Sequence, residues 1–127
     1  MDQIDARNVV MSRLAEMPDA PPIRWPNAAS SAGATPRLEV QSAPSSAVPF
    51  LLDGGHRYAG ELAVTAVGAN ERGTAETDAM VKAILAHFAP PLRLDGVVIV
   101  DLPDVRPPLV TDTEFRVPIF IRYRALI

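Results

Sequence analysis

The last stretch of the chain, from Phe115 to Ala125, alternates between two kinds of side chain over its whole length. The apolar set is Phe115, Val117, Ile119, Ile121 and Tyr123. The other set is Arg116, Phe120, Arg122 and Arg124. Successive side chains of a strand point to opposite faces of a sheet, so this pattern predicts a long strand with one face on a core. Pro118 cannot donate a hydrogen bond to a neighbouring strand, and we therefore expect a sheet edge or a bulge there.

Three other stretches are typical of strands. From Pro36 to Ser42, apolar residues alternate with charged or polar ones, and the same alternation returns from Arg57 to Val67. The run from Val97 to Val100 is β-branched and suits a short buried strand. We expect the first two of these strands to be antiparallel if they pair.

Two segments have the spacing of helices. From Asp2 to Met17, apolar residues recur at helical intervals: Ile4, Val10, Met11, Leu14 and Met17. In the second segment Met80, Ile84 and Phe88 fall four apart, and Thr74 is placed to cap the start. The element order predicts an α+β fold with an approximately four-stranded, mainly antiparallel sheet and two helices packed on one face.

Length and composition bound the class of protein. The 127 residues fit a single domain, and 48% apolar with 21% charged residues is typical of a globular chain. Apolar stretches fall well short of the roughly 20 residues that span a bilayer. The first residues do not lead from a basic region into an apolar one, so we expect no secretory signal, no membrane association and a cytoplasmic site of synthesis.

The sequence offers few residues that could carry out catalysis. The chain has no cysteine, which excludes thiol catalysis and thiolate metal sites. Its two histidines leave little for a metal site built on imidazole. Asp53 and His56 with Ser45 or Ser46 could be imagined as a triad, but no Gly-x-Ser-x-Gly elbow frames either serine. We therefore predict no catalytic residues, no cofactor and no metal site. The net charge of -3 also gives no overall attraction for nucleic acid.

Three features are candidates for contact with other subunits or partners. The arginines Arg116, Arg122 and Arg124 form a basic stripe, which either solvates an exposed sheet face or meets an acidic partner or a DNA-bearing lumen. Trp25, in a proline-flanked segment, either covers its own core or anchors a partner. An apolar run within a connection either packs on a neighbouring subunit or folds back as a lid; it comprises Val48, Phe50, Leu51 and Leu52.

Short motifs along most of the chain resemble those of a known family. The segment Pro22–Asn27, reading Pro-Ile-Arg-Trp-Pro-Asn, is followed by Gly60–Val64, reading Gly-Glu-Leu-Ala-Val, and then by Gly73 and a helix ending at Phe88. This order resembles the tail terminators of long-tailed bacteriophages.

The resemblance implies a structural virion protein of the tail, at its neck end, that assembles in the host cytoplasm. It implies a ring, expected to be hexameric, that caps the tail tube, stops its polymerisation and offers a head-joining surface. The implied partners are identical subunits, the tail tube protein and a head-completion or neck protein, with DNA passing through the lumen. The alternatives are a neck or head-completion protein and, from another class, a small cytoplasmic ligand-binding or enzymatic domain.

Overall fold

The computed structural model describes residues 3–25, 35–42, 46–49, 56–70 and 74–126. Its helices are α1 (Gln3–Ala15) and α2 (Ala75–His87). Its strands are β1 (Ile23–Arg24), β2 (Arg37–Ser42), β3 (Ser46–Pro49), β4 (His56–Ala69), β5 (Leu92–Leu94), β6 (Val97–Ile99), β7 (Asp104–Val105), β8 (Leu109–Val110) and β9 (Glu114–Leu126). Neither helix is long and apolar enough to cross a membrane.

The strands of the described residues form one mixed sheet in the order β1-β2-β4-β9-β6-β5, with β3 on β4 and with β7 and β8 on β9. The α+β class is confirmed, and so is the antiparallel pairing of β2 with β4. Pairing is mainly antiparallel, as predicted, but β1 runs parallel to β2. The predicted number of about four strands is wrong, because the sheet also contains several strands of only two or three residues. Strands this short show no alternation that a sequence pattern could reveal.

The long strands β4 and β9 form the centre of the sheet. They pair antiparallel from Arg57 opposite Leu126 to Ala69 opposite Glu114. The apolar faces of the two strands coincide, since Leu62 lies opposite Ile121 and Val64 opposite Ile119, and all four side chains are fully buried. This ladder carries the core of the molecule.

The sequence predicts a sheet edge or a bulge at Pro118. The strand β9 as a whole is not an edge, because β4 lies on one side of it and β6, β7 and β8 on the other, but pairing on that outer side is interrupted next to Pro118. Its carbonyl accepts a hydrogen bond from the amide of Arg106 at 2.9 Å, so its nitrogen faces the same side, next to the interval between β7 and β8. The absence of an amide hydrogen on Pro118 therefore has little effect on strand pairing at this position.

Both helices pack on the same face of the sheet. From α1 and the turn after it the core receives Ala6, Val10, Leu14 and Met17, and from α2 and its end it receives Met80, Ile84 and Phe88. Ile4, predicted to share the buried stripe, is 58% exposed. It lies two residues before Ala6, and residues two apart do not share a helix face.

The strands β6, β7 and β8 follow one another along the outer side of β9. We call residues 97–110 the outer segment. Its pairing is interrupted at 100–103 and 106–108, where Pro103, Pro107 and Pro108 stand. This irregular edge leaves large apolar side chains in solvent: Val100, Leu102, Val105, Leu109 and Val110.

Candidate assembly surfaces

The sheet face opposite the helices, which we call the open face, holds the basic stripe. The odd-numbered residues of β9 from Val117 to Ala125 are buried under the helices, so Arg116, Arg122 and Arg124 lie on the open face, as predicted. The cross-strand partners Val67, Glu61 and Ala59 of β4 share this face. Neither α1 nor α2 covers these residues, because both helices pack on the other side.

One end of the open face carries an ion-pair network of Arg37, Glu39, Glu114 and Arg116, and Arg24 of β1 lies 3.8 Å from Glu39 at its margin. The guanidinium Nη2 of Arg37 lies 2.7 Å from Glu39 Oε2 and 2.7 Å from Glu114 Oε2. Arg116 bonds the same two acids, with Nη2 at 2.8 Å from Glu39 Oε1 and Nη1 at 3.1 Å from Glu114 Oε1. The two carboxylates thus bridge the two guanidinium groups.

The network covers an apolar residue of the open face. Val67 lies between Arg37 and Arg116 in the strand register and is fully buried, although it does not belong to the helix-side core. The aliphatic stems of the two arginines shield it while their charged ends pair. The charged groups at this end of the open face are therefore paired within the subunit.

The network shifts the pKa values of its members. Burial by itself raises the pKa of Glu39, but the hydrogen bonds from Arg116 and Arg37 outweigh burial and lower that pKa below its ordinary value of 4.5. The hydrogen bond from Arg37 is the largest influence on Glu114 and lowers its pKa as well. Both carboxylates are therefore held ionised, as the network requires.

The network predicts a loss of stability in acid. A carboxyl group whose pKa is lowered by folding stabilises the protein above its unfolded-state pKa, and that stability is lost as the pH falls through the folded pKa. We expect the free energy of unfolding to fall from about pH 5 downward, and to fall less steeply in the double variant Glu39→Gln with Glu114→Gln. Urea unfolding at a series of pH values measures this, and identical acid slopes in the two proteins would contradict it.

The three stripe arginines differ in their surroundings. Arg116 belongs to the network, whereas the half-exposed Arg122 lies 3.2 Å from Glu61 and 3.6 Å from Asp104. Arg124 is exposed and makes no ion pair or hydrogen bond with the described residues. Acids from other strands thus neutralise the basic stripe unevenly.

A second cation that the sequence analysis missed lies close to Arg124. Arg93 of β5 is opposite Val98 of β6, which is opposite Arg124 of β9, so the two arginines flank Val98 on the open face, about 10 Å apart. Arg93 is exposed and, like Arg124, has no acidic partner within the described ranges. We call Arg93, Arg122, Arg124 and Val98 the basic corner. The alternation Leu92-Arg93-Leu94 is the one signal that could have indicated it.

A shallow cavity of about 300 Å³ opens beside the basic corner. It lies where the ladder of β9 with β6 ends at Arg124 and the ladder with β7 begins at Phe120. The lining residues include Val98, Val100, Asp101, Arg122, Tyr123 and Arg124. Its walls therefore combine apolar side chains with unpaired positive charge.

The family model described as "Phage tail terminator protein" matches residues 5–123, nearly the whole chain. The chain belongs to the phage tail terminator family. Membership places it among the structural proteins of the bacteriophage tail and points away from an enzyme.

Two further comparisons bear on this terminator-family protein. One of six matching solved chains is 22% identical, with a TM-score of 0.71 and coverage of 98% of this chain and 96% of that chain, which shows a shared fold. No curated protein gives a significant match.

The remaining candidate residues of the terminator-family protein are only partly described. Trp25 is half-buried and packs against the edge of the subunit's own core, which favours the covering role. Val48 lies on β3, opposite Arg57 of β4. Phe50, Leu51 and Leu52 lie outside the described residues, so their place at a subunit interface stays a prediction.

The imagined triad gains no support from the described backbone. Asp53 and Ser45 lie outside the described residues. Ser46 is opposite Ala59 and His56 is opposite Pro49, so the β3–β4 register separates Ser46 and His56 by about 10 Å. In the described part of the chain, no group of three or more histidine or acidic side chains could hold a metal ion.

The contrast between two stripe arginines can be measured directly. We expect Arg116→Gln to lower the free energy of unfolding by about 1–2 kcal/mol, because it removes charged hydrogen bonds from two partly buried carboxylates. Arg124→Gln should change it by less than about 0.5 kcal/mol, since this exposed side chain has no partner in the described structure. Urea denaturation of both variants tests the assignment, and equal losses would contradict it.

Proposed function

We propose that this protein is a tail terminator that binds as a ring of identical subunits to the last ring of the tail tube and ends its growth. The observation that carries the proposal is the family match over residues 5–123. The head side of the same ring would receive the head-completion or neck protein, and DNA would pass through its lumen. Six subunits are expected, and assembly takes place in the host cytoplasm before the protein enters the virion.

Surface features of the subunit support an assembling role. The outer segment exposes the large apolar residues Leu102, Leu109 and Val110 at 65%, 62% and 59%, and exposed apolar surface of this kind is available for contact with another protein. The basic corner adds unpaired positive charge at the other end of β9. Both features are suited to contact with other subunits.

Electron microscopy and native mass spectrometry of the purified protein test the ring. The proposal expects rings with a central hole, and binding of these rings to one end of preformed tubes of the tail tube protein from the same phage. Binding to head-side proteins without any binding to tubes would instead indicate a neck or head-completion protein. A monomer that binds neither partner would overturn the proposed function.

A further inference from the structure

We propose that residues 109–112 of one subunit dock on the basic corner of the next subunit. We call these residues, which comprise the end of the outer segment and the two residues after it, the tip. This inference rests on the proposed ring and identifies the surfaces that would join its members. The occupant of the basic corner is thus a second copy of this chain.

The tip presents apolar side chains beside an acid. Leu109 and Val110 are the last paired residues of the outer segment, and the exposed Asp112 follows them with no ion partner in the described residues. Pro107 and Pro108 cannot donate backbone hydrogen bonds, so another strand cannot readily extend the sheet along this edge. Recognition must therefore use side chains.

Hydrogen bonds hold the tip in one shape. The amide of Thr111 donates to the carbonyl of Glu114 at 2.8 Å, and the amide of Glu114 donates to Thr111 Oγ1 at 3.0 Å. Asn70, at the end of β4, fixes the tip from the side, with its Nδ2 donating to the Thr111 carbonyl at 3.0 Å. A fixed tip loses little conformational entropy on binding.

The basic corner complements the tip in both polarity and charge. Val98 and Val100 offer apolar contact, and the cavity beside them has room for a side chain such as Leu109. Arg93 and Arg124 supply two cations without partners in the described structure, against the unpaired carboxylate of Asp112. The cations of the basic corner thus complement the carboxylate of the tip, and both surfaces offer apolar contact.

One subunit cannot make this contact with itself. Val110 pairs with Phe115 and Val98 pairs with Arg124, so the tip and the corner are separated by about 30 Å along β9. A contact between different surfaces of identical subunits is head-to-tail, and it generates a ring when the rotation closes. The tip and the basic corner lie at opposite ends of β9, which suits a head-to-tail contact between successive subunits.

Nucleic acid fits the basic corner less well than a protein carboxylate does. Glu61, Asp101 and Asp104 surround the arginines, and the whole chain carries a net charge of -3. An extended polyanion would meet these acids, whereas a single carboxylate reaches the arginines at short range.

Charge exchange in the full-length protein tests the contact. We expect Arg124→Asp and Asp112→Arg each to weaken subunit association by about ten-fold or more, since like charges then face each other. The double variant, Arg124→Asp with Asp112→Arg, should recover most of the loss. The matched controls are Lys82→Asp and Asp78→Arg, two exposed charges on α2 that should leave association unchanged.

Association is measured by sedimentation velocity, with circular dichroism confirming that each variant is folded. If the wild-type protein assembles only on tubes, the same variants are compared by their retention on tubes. Assembly that survives both single charge reversals would overturn this contact and leave the proposed function standing. Failure of the wild type to assemble in either setting would overturn both. Duplex DNA binding that Arg124→Asp abolishes, with assembly intact, would assign the corner to nucleic acid and also overturn the inference.

Discussion

We expect the Glu39→Ala variant to lose about 2–3 kcal/mol of the free energy of unfolding. Glu39 is the acid that joins β2 to β9, with contacts of 2.7 Å to Arg37 and 2.8 Å to Arg116. The Arg37 side chain is 8% exposed, so water replaces the lost Glu39 carboxylate poorly, although the pair with Glu114 at 2.7 Å remains. The Arg116 side chain is 25% exposed, so water can partly solvate its guanidinium group after the substitution. The expected loss is therefore smaller than for a fully buried ion pair.

Glu61→Ala is the matched control for this substitution. Glu61 also pairs with an arginine across strands, but the side chains of Glu61 and Arg122 are 36% and 50% exposed. Exposed pairs contribute little, and we expect a change below about 0.5 kcal/mol. Chemical denaturation followed by circular dichroism compares the two variants. Similar losses in both would show that the network does not stabilise the fold in the way described.

We expect the double variant Phe50→Asp with Leu52→Asp to abolish the oligomer while leaving the subunit folded. In the sequence, an apolar run within a connection indicates a contact surface. Removal of a central interface anchor commonly costs about 2 kcal/mol or more. In a closed ring that loss recurs at every interface, so assembly should fail completely.

Light scattering coupled to gel filtration, with circular dichroism on the same sample, separates the two roles of this run. A folded monomer supports the interface. An intact ring would contradict it, and a molten or aggregating chain would show that the run is a lid on the subunit's own core.

The long elements were predictable because each carries a clear period. The spacing of Met80, Ile84 and Phe88 and the alternation of β9 both appear in the burial of the structure. By contrast β7 and β8 have two residues each, and proline residues interrupt the segment that holds them. Their pairing depends on the neighbouring β9, which a local pattern does not contain. The central position of β9 was missed for the same reason.

The assembly surfaces were predictable only at the level of faces. Alternation placed Arg116 and Arg124 on the same side, but it could not show that Glu39, 77 residues away from Arg116, neutralises one of them. That difference follows from the register of β2, β4 and β9. Arg93 was missed because its three-residue strand has too little pattern, although the register places it two strands from Arg124.

The most direct test of the central claim is the length of tail tubes assembled with and without this protein. Tail tube protein from the same phage is allowed to polymerise, and tube lengths and tube ends are measured by electron microscopy. We expect tubes to grow beyond the virion length when the protein is absent. When it is added, growth should stop and a ring should be visible at one end. Tubes of unchanged length with bare ends, in the presence of folded protein, would contradict the account.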